Sequence, residues 1–199
     1  MGMKRSLLGT LLGLSSLAAQ CAGLAAQPWP PEQPCPGCAT LQFGGLEMQF
    51  SPSLVGRFFV PTDGQPFVAL APPEQGLPQG PVIQAMEAKA LRQRYQRLGI
   101  FEKHRLRTPL AFYELLGDTS RQDESLDLVR KAESIADAVS YEKFSKGPLT
   151  AIRIRQSDPR LDIAYLFTDR PDIYYMVAGD MPKNLWERLL STLKSVAVP

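Results

Sequence analysis

The chain has few of the residues on which reactive and metal-binding sites depend. It contains one histidine and three cysteines among 199 residues. A zinc site or a nucleophile activated by histidine needs several such groups at suitable spacing, and no such arrangement occurs. No apolar run reaches the ~20 residues with which a helix crosses a bilayer. We therefore predict no metal, no cofactor and no catalytic residues, and we favour a non-enzymatic protein over an enzyme.

The chain also lacks a strong excess of positive charge. Its formal net charge is +2, and Lys4 and Arg5, with no acidic residue near them, account for all of that excess. The rest of the chain is therefore neutral. Nucleic-acid binding depends on a large positive surplus, so we predict no nucleic-acid partner.

The first 26 residues have the organisation of an export signal. Lys4 and Arg5 form a short positive region, and residues 7–19 form an apolar segment that is too short to span a membrane. Small residues follow at Gly23, Ala25 and Ala26, where a signal peptidase cuts. We interpret residues 1–26 as a signal peptide, and this predicts a periplasmic or secreted protein.

Cys21 raises a second interpretation, an outer-membrane lipoprotein. Lipoprotein signals usually carry leucine three places before the modified cysteine and a small residue directly before it. Those two places hold Ala18 and Gln20 here, and glutamine fits poorly. Soluble export is therefore favoured, and membrane association is expected only if Cys21 is lipidated.

Beyond the signal, the sequence predicts a Pro-rich, poorly packed segment at 27–40 and a single α+β domain at 41–199. An antiparallel sheet, made of an N-terminal hairpin and a C-terminal three-stranded meander, is expected to be covered by three to four helices. The predicted strands are 46–50, 57–60, 67–70, 150–155, 161–167 and 173–178. The predicted helices are 81–98, 109–116, 124–144, with Leu128, Ala132, Ile135 and Val139 on its buried face, and 182–196.

The sharpest chemical feature is the sequence Cys35-Pro36-Gly37-Cys38. Pro-Gly suits the centre of a type II turn, whose ends lie within disulfide reach, so a structural disulfide is favoured in an oxidising compartment. A reactive dithiol needs a helix N-terminus to stabilise the thiolate, but the residues that follow are β-like. A metal site would need further ligands. Both alternatives stay open as a second functional hypothesis, a thiol–disulfide or metal-handling protein.

Charge is segregated along the middle of the chain. Residues 89–107 have a basic surplus of six, and residues 114–142 have an acidic surplus of five. The basic stretch is a candidate surface for an anionic partner such as lipid head groups or glycans. The alternative is that two neighbouring segments simply present complementary faces. The candidate residues are Lys89, Arg92, Arg94, Arg97, Lys103, Arg105 and Arg107.

The C-terminal segment 161–195 carries a family resemblance. It predicts two antiparallel strands, with the pattern Tyr-Tyr-x-Val-x-Gly at 174–179, and a helix that ends Leu-Leu-Ser-x-Leu-Lys-Ser at 189–195. This arrangement resembles the end of PsbP-like domains, a group that includes bacterial envelope lipoproteins and photosynthetic accessory proteins. The resemblance implies a non-enzymatic accessory or binding role. The leading hypothesis is an exported module that binds an envelope or periplasmic protein partner.

Overall fold

The computed structural model describes residues 23–59, 67–70, 80–121 and 123–197. Residues 1–22, which hold most of the predicted signal and Cys21, lie outside these ranges. The described residues form eleven strands and five α-helices. The strands are β1 (Leu24–Gln27), β2 (Ala39–Phe43), β3 (Leu46–Phe50), β4 (Val55–Phe59), β5 (Phe67–Leu70), β6 (Val82–Glu87), β7 (Ser140–Lys146), β8 (Leu149–Arg155), β9 (Ile163–Phe167), β10 (Ile173–Ala178) and β11 (Lys194–Ser195). The helices are α1 (Ala88–Arg94), α2 (Ile100–Lys103), α3 (Pro109–Leu116), α4 (Glu124–Ala132) and α5 (Lys183–Thr192).

The strands form one large sheet and one small one. The large sheet has the order β1-β7-β8-β9-β10-β6-β5-β4, and the small sheet has the order β11-β3-β2. All pairings are antiparallel except that of β1 with β7. The predicted α+β class, the C-terminal meander and the pairing of β4 with β5 are confirmed.

The large sheet lies between two hydrophobic clusters, because alternate residues of its strands point to opposite faces. On β8, Ala151 packs into a cluster with α5 and the small sheet, whereas Ile152 and Ile154 pack into a cluster with α1 to α4. Helix α5 carries Trp186 and Leu190 into the first cluster, as its apolar stripe predicts. It ends at Thr192 and not near 196 as predicted, because Lys194–Ser195 pairs with β3 as β11. The domain is therefore a three-layer structure with the sheet in the middle.

The helix predicted at 81–98 is wrong in its first half. Residues Val82–Glu87 form β6, which pairs with β10 and β5, and α1 begins only at Ala88. The apolar spacing in this segment fits either element, since a short apolar run does not separate a strand from a helix. Residues Val82–Glu87 adopt a strand because they form hydrogen bonds with a neighbouring strand on each side.

The helix predicted at 124–144 is also too long, and its buried face is wrong. Helix α4 ends at Ala132, Ser134 has a φ of 58°, and β7 begins at Ser140. Leu128 and Val139 are 53% and 61% exposed. The chain turns after α4 because Ser140–Lys146 pairs with β1 and β8 and contributes Tyr141 to the core.

The helix predicted at 109–116 is confirmed, together with both of its ends. The Thr108 side chain accepts a hydrogen bond from the Ala111 backbone N–H at 3.1 Å, and Pro109 occupies the first turn. Gly117 follows the last helical residue. A capping threonine and a proline at the first position start a helix, which is why the sequence reveals this one.

The N-terminal segment is hydrogen-bonded to α5, although none of residues 27–34 is buried. The indole N–H of Trp29 donates to the Leu190 carbonyl at 3.0 Å. Arg188 donates to the carbonyls of Gln33 and Pro34 at 3.0 and 3.1 Å. We call residues 27–34 the N-terminal arm. It runs extended across the face of the sheet that α5 covers.

Strand β1 precedes the arm and fits tightly at the sheet edge. The Leu24 N–H donates to the Gly117 carbonyl at 3.2 Å. A Cβ atom on Gly117 would lie 2.4 Å from Leu24 Cβ and 2.8 Å from the Tyr141 ring. Only glycine leaves room for β1 at this point.

The sequence predicts an export signal at residues 1–26, and this packing bears on where such a signal would be cleaved. Cleavage after Ala26 would delete most of β1, so we expect the mature chain to begin at or before Gly23 and to keep Leu24–Gln27. Intact-mass measurement of protein purified from the periplasm or envelope checks this. A mature chain that starts at Gln27 contradicts it, whereas a lipid-modified start at Cys21 agrees with it and identifies an anchored protein.

Among the described residues, no helix has the length and the apolar character that crossing a membrane requires.

Candidate functional site

A cleft of about 860 Å³ lies between the N-terminal arm and the start of α5. Its floor comes from neighbouring positions of β7 and β8, which present Glu142, Phe144, Arg153 and Arg155 on the same face of the sheet. Further wall residues come from the arm, from the turns after β8 and β10, and from the first turn of α5. They are Gln27, Pro28, Trp29, Pro30, Pro31, Gln33, Gln156, Pro159, Asp162, Asp180, Met181, Pro182, Lys183, Trp186 and Glu187.

Arg153 is the central polar group of the cleft. It is 7% exposed, and its Nη2 donates to Asp162 Oδ2 at 3.1 Å and to the Met181 carbonyl at 2.7 Å. Its guanidinium carbon lies 5.2 Å from the centre of the Trp186 ring, within cation–π range. Burial lowers the pKa of Arg153 below its usual value, and the nearby Asp162 carboxylate opposes that shift.

Asp162 fixes the position of the Arg153 side chain. It is buried, and its Oδ1 accepts a hydrogen bond from the Gln156 backbone N–H at 2.8 Å. One carboxylate thus positions both Arg153 and the turn after β8. Because removing one partner leaves the other charge buried and unpaired, the pair acts as a structural unit.

Both tryptophans of the chain line the cleft. Trp29 is fixed by its hydrogen bond to Leu190, whereas the buried Trp186 Nε1 has no acceptor within the described residues. Arg153 Nε is also buried without an acceptor in the same part of the chain. Two of the residues that line the cleft therefore each have a buried N–H without an acceptor in the described part of the chain.

A second polar cluster lies on the opposite face of the sheet. The buried carboxylate of Glu133, directly after α4, accepts hydrogen bonds from the hydroxyls of Tyr95, Tyr113 and Tyr165, the last two at 2.9 Å. Arg94 Nη1 adds a contact at 3.3 Å. We call these five residues the Glu133 cluster. None of them lines the cleft.

The Glu133 cluster holds its tyrosines in the neutral form. Burial raises the pKa values of Tyr95, Tyr113 and Tyr165, and the negative charge of Glu133 adds to the effect. Burial, and secondarily Glu133, raises the pKa of the neighbouring Tyr174 to about 12. Apart from Arg94, whose side chain is 53% exposed, the cluster lies within the core, so its role is to pair buried polar groups.

The predicted Cys35–Cys38 turn is present. The Cys38 N–H donates to the Cys35 carbonyl at 3.1 Å, and Gly37 has the positive φ of 81° that a type II turn places at its third residue. The two cysteines form a disulfide with a Cα–Cα distance of 5.4 Å. Strand β2 follows directly, so no helix N-terminus follows the pair.

The predicted basic surface divides into two groups. Arg94 and Lys103 bind Glu133 and Asp123, at 3.3 and 2.6 Å, and these contacts join the basic and acidic stretches of the sequence. Arg92 lies over the Phe101 ring and donates to the carbonyls of Leu106 and Arg107. The remaining members, Lys89, Arg97, Arg105 and Arg107, have exposed side chains.

His104, the single histidine, lies at the end of α2 in this region. Its Nε2 is 3.3 Å from Asp123 Oδ2. Hydrogen bonds from Lys103, from the Ser125 backbone and from His104 hold the pKa of Asp123 at about 2. Asp123 also caps α4 by accepting the Ser125 N–H at 3.0 Å, so this group serves as a helix cap and a link between segments.

Sequence reasoning did not find the cleft or the Glu133 cluster. The alternation in Arg153-Ile154-Arg155 places arginines on one face of β8, but it does not show that α5 covers one of them. Glu133 belongs to the acidic stretch 114–142, and such a stretch normally indicates solvent-exposed side chains. The only available signal was the unusual number of prolines around Trp29.

No protein-family model, curated protein or solved structure matches the chain. Within the described ranges, no group of three or more histidine, cysteine, aspartate or glutamate side chains is placed to hold a metal ion.

Proposed function

We propose that this chain is an exported, non-enzymatic binding protein of the cell envelope, and that it holds its ligand or a segment of its partner in the cleft. The observation that carries the proposal is the cleft itself, about 860 Å³ in volume, with both tryptophans and a buried arginine in its walls. Binding sites for small molecules and peptide segments are usually concave and mainly apolar, with a few placed polar groups.

The chemistry of the lining supports binding rather than catalysis. The described residues around the cleft include no serine, cysteine or histidine, so no Ser–His or Cys–His pair faces the ligand. Arg153 and Asp162 neutralise each other in a fixed geometry at 3.1 Å. The relationship to PsbP-like domains stays a prediction, and an accessory role of that kind agrees with this lining.

Site-specific photocrosslinking in the living cell tests the proposal. A benzoylphenylalanine in place of Gln33, which lines the cleft, should give adducts of reproducible mass. The same probe in place of Gln96, an exposed residue on the other side of the sheet, is the matched control. Adducts that form equally from both positions, or from neither, would count against the cleft as the binding site.

Removal of the disulfide distinguishes the proposed binding function from the alternative, a thiol–disulfide or metal-handling protein. The Cys35→Ser/Cys38→Ser variant should lose at most about 2 kcal/mol of stability, because the closed loop spans only four residues. Crosslinking from Gln33 should continue in this variant. Its loss from a variant that remains folded by circular dichroism would support the alternative, in which the cysteines carry the function.

A further inference from the structure

The N-terminal arm is hydrogen-bonded to the domain through side chains alone. Within the described part of the chain, residues 28–34 make no backbone–backbone hydrogen bond, and four of these seven residues are prolines, which have no N–H. The bonds that hold the arm run from Trp29 to the Leu190 carbonyl and from Arg188 to the carbonyls of Gln33 and Pro34. A segment with so few contacts opens locally at a much lower free energy than the whole domain unfolds.

Both ends of the arm are held more firmly than its middle. Before the arm, β1 pairs with β7 at four register positions, from Leu24 to Gln27. After it, the Cys35–Cys38 disulfide closes a turn, and β2 then pairs with β3 at five positions. The arm is therefore tethered at both ends and can leave the domain only in its middle.

The prolines keep the arm extended whether or not it contacts the domain. Proline fixes φ at about −65°, and proline-rich segments stay extended without internal hydrogen bonds. An open arm therefore has few conformations to lose when it closes, so few contacts are enough to close it. The three hydrogen bonds and the packing of Trp29 against the cluster beneath α5 supply these contacts.

Movement of the arm changes the width of the cleft. Opposite the arm, the cleft is bounded by the first turn of α5, a helix that is packed into the core through Trp186 and Leu190. Only one of the two sides is therefore free to move. Six of the eight arm residues line the cleft, and they are Gln27, Pro28, Trp29, Pro30, Pro31 and Gln33.

We propose that the N-terminal arm is a strap that opens to admit the ligand to the cleft and closes over it, and that Trp29 and Arg188 hold it closed. The inference rests on the proposed binding function and adds how the ligand enters the same cleft. Opening releases three hydrogen bonds and leaves both tethered ends in place, so the rest of the domain keeps its structure.

Hydrogen exchange of the two indole N–H groups tests the opening in the free protein. NMR spectra of the ¹⁵N-labelled mature protein show one indole signal for each tryptophan, and Trp29→Phe assigns them. The Trp29 N–H should exchange at least about 100-fold faster than the buried Trp186 N–H, because arm opening exposes only the first. Trp186 is thus an internal reference for opening of the core.

Arg188 variants test what holds the strap closed. Arg188→Ala removes two of the three hydrogen bonds and should speed exchange at Trp29 about tenfold, with exchange at Trp186 unchanged. Arg188→Lys keeps a cationic donor and should give a smaller increase. Lys131→Gln, at an exposed position on α4, is the control and should change neither rate.

Thiol labelling then tests whether the strap controls access to the cleft. A cysteine in place of Glu142, on the cleft floor, should react about tenfold faster with a bulky fluorescein maleimide when Arg188→Ala is added. Its reaction with the small reagent iodoacetamide should change less. A cysteine in place of Ser145, an exposed residue of the same strand, is the matched control and should react equally in both backgrounds.

Three results would overturn the inference. They are equal exchange rates for the two indoles in the parent protein, unchanged Trp29 exchange in Arg188→Ala, and faster Trp29 exchange in that variant without faster maleimide labelling at position 142. Photocrosslinking from the Gln33 position is read separately. Adducts there together with slow exchange at Trp29 would keep the binding function and reject the strap.

Discussion

Replacing Glu133 with alanine should lower the free energy of unfolding by about 3 to 5 kcal/mol, which places it among the largest single-substitution effects expected in a protein of this size. The variant removes the shared acceptor of three buried tyrosine hydroxyls and leaves each without its partner. An unsatisfied buried hydroxyl costs about 1 to 3 kcal/mol, although the losses within one cluster are not additive. Urea unfolding followed by circular dichroism measures the change.

Glu133→Gln is the matched control for this prediction. Glutamine keeps the shape and one acceptor oxygen, so its effect should be clearly smaller than that of alanine. A charge-removing substitution at the exposed Asp137, in the segment that follows α4, should change stability by less than about 0.5 kcal/mol. If Glu133→Ala unfolds at the same urea concentration as the parent protein, the Glu133 cluster does not stabilise the core.

Alkaline pH should unfold the protein through the tyrosines of the Glu133 cluster and the neighbouring Tyr174. The folded state raises the pKa of Tyr174 from 10.0 to about 12, and those of Tyr95, Tyr113 and Tyr165 are also raised. A raised pKa in the folded state gives stability that is complete below pH 10 and is lost as the pH rises toward the folded pKa. For Tyr174 alone, the shift corresponds to about 3 kcal/mol.

Absorbance at 295 nm, which reports phenolate, checks this prediction when it is followed together with circular dichroism. Between about pH 10 and 12, the phenolate signal of these four tyrosines should rise only as the fold is lost. The chain has six tyrosines. Ionisation of more than two of them near pH 10 in a protein that keeps its native spectrum would contradict the prediction.

The elements that sequence reasoning predicted correctly carry their own local signals. Helix α3 has a capping threonine and a proline at its start, and the apolar stripe of α5 repeats at helical spacing. β6 and β7 lack such signals. β6 is decided by pairing with β10, which is distant in the sequence, and β7 by pairing with the distant β1 and with β8 directly after it. Local pattern therefore predicted the class of the fold and its meander, but not every element within it.

The candidate site was harder to predict, because its parts come together only in the folded chain. The cleft joins residues near positions 30, 150 and 185, and the Glu133 cluster joins four separate segments. Arg153 lies in a strand whose alternation normally places charged residues in solvent. Its burial depends on how α5 and the N-terminal arm cover the sheet, and no local spacing contains that information.

The parallel pairing of β1 with β7 determines how the domain responds to mechanical load. Four consecutive register pairs, from Leu24–Tyr141 to Gln27–Phe144, lie along the direction of the chain that enters at Gly23. Tension applied ahead of Gly23 along the axis of β1 would load these hydrogen bonds in shear, all together, rather than opening them one at a time. Because β1 comes before the N-terminal arm in the chain, β1 would resist such tension before the force reached the arm that borders the cleft.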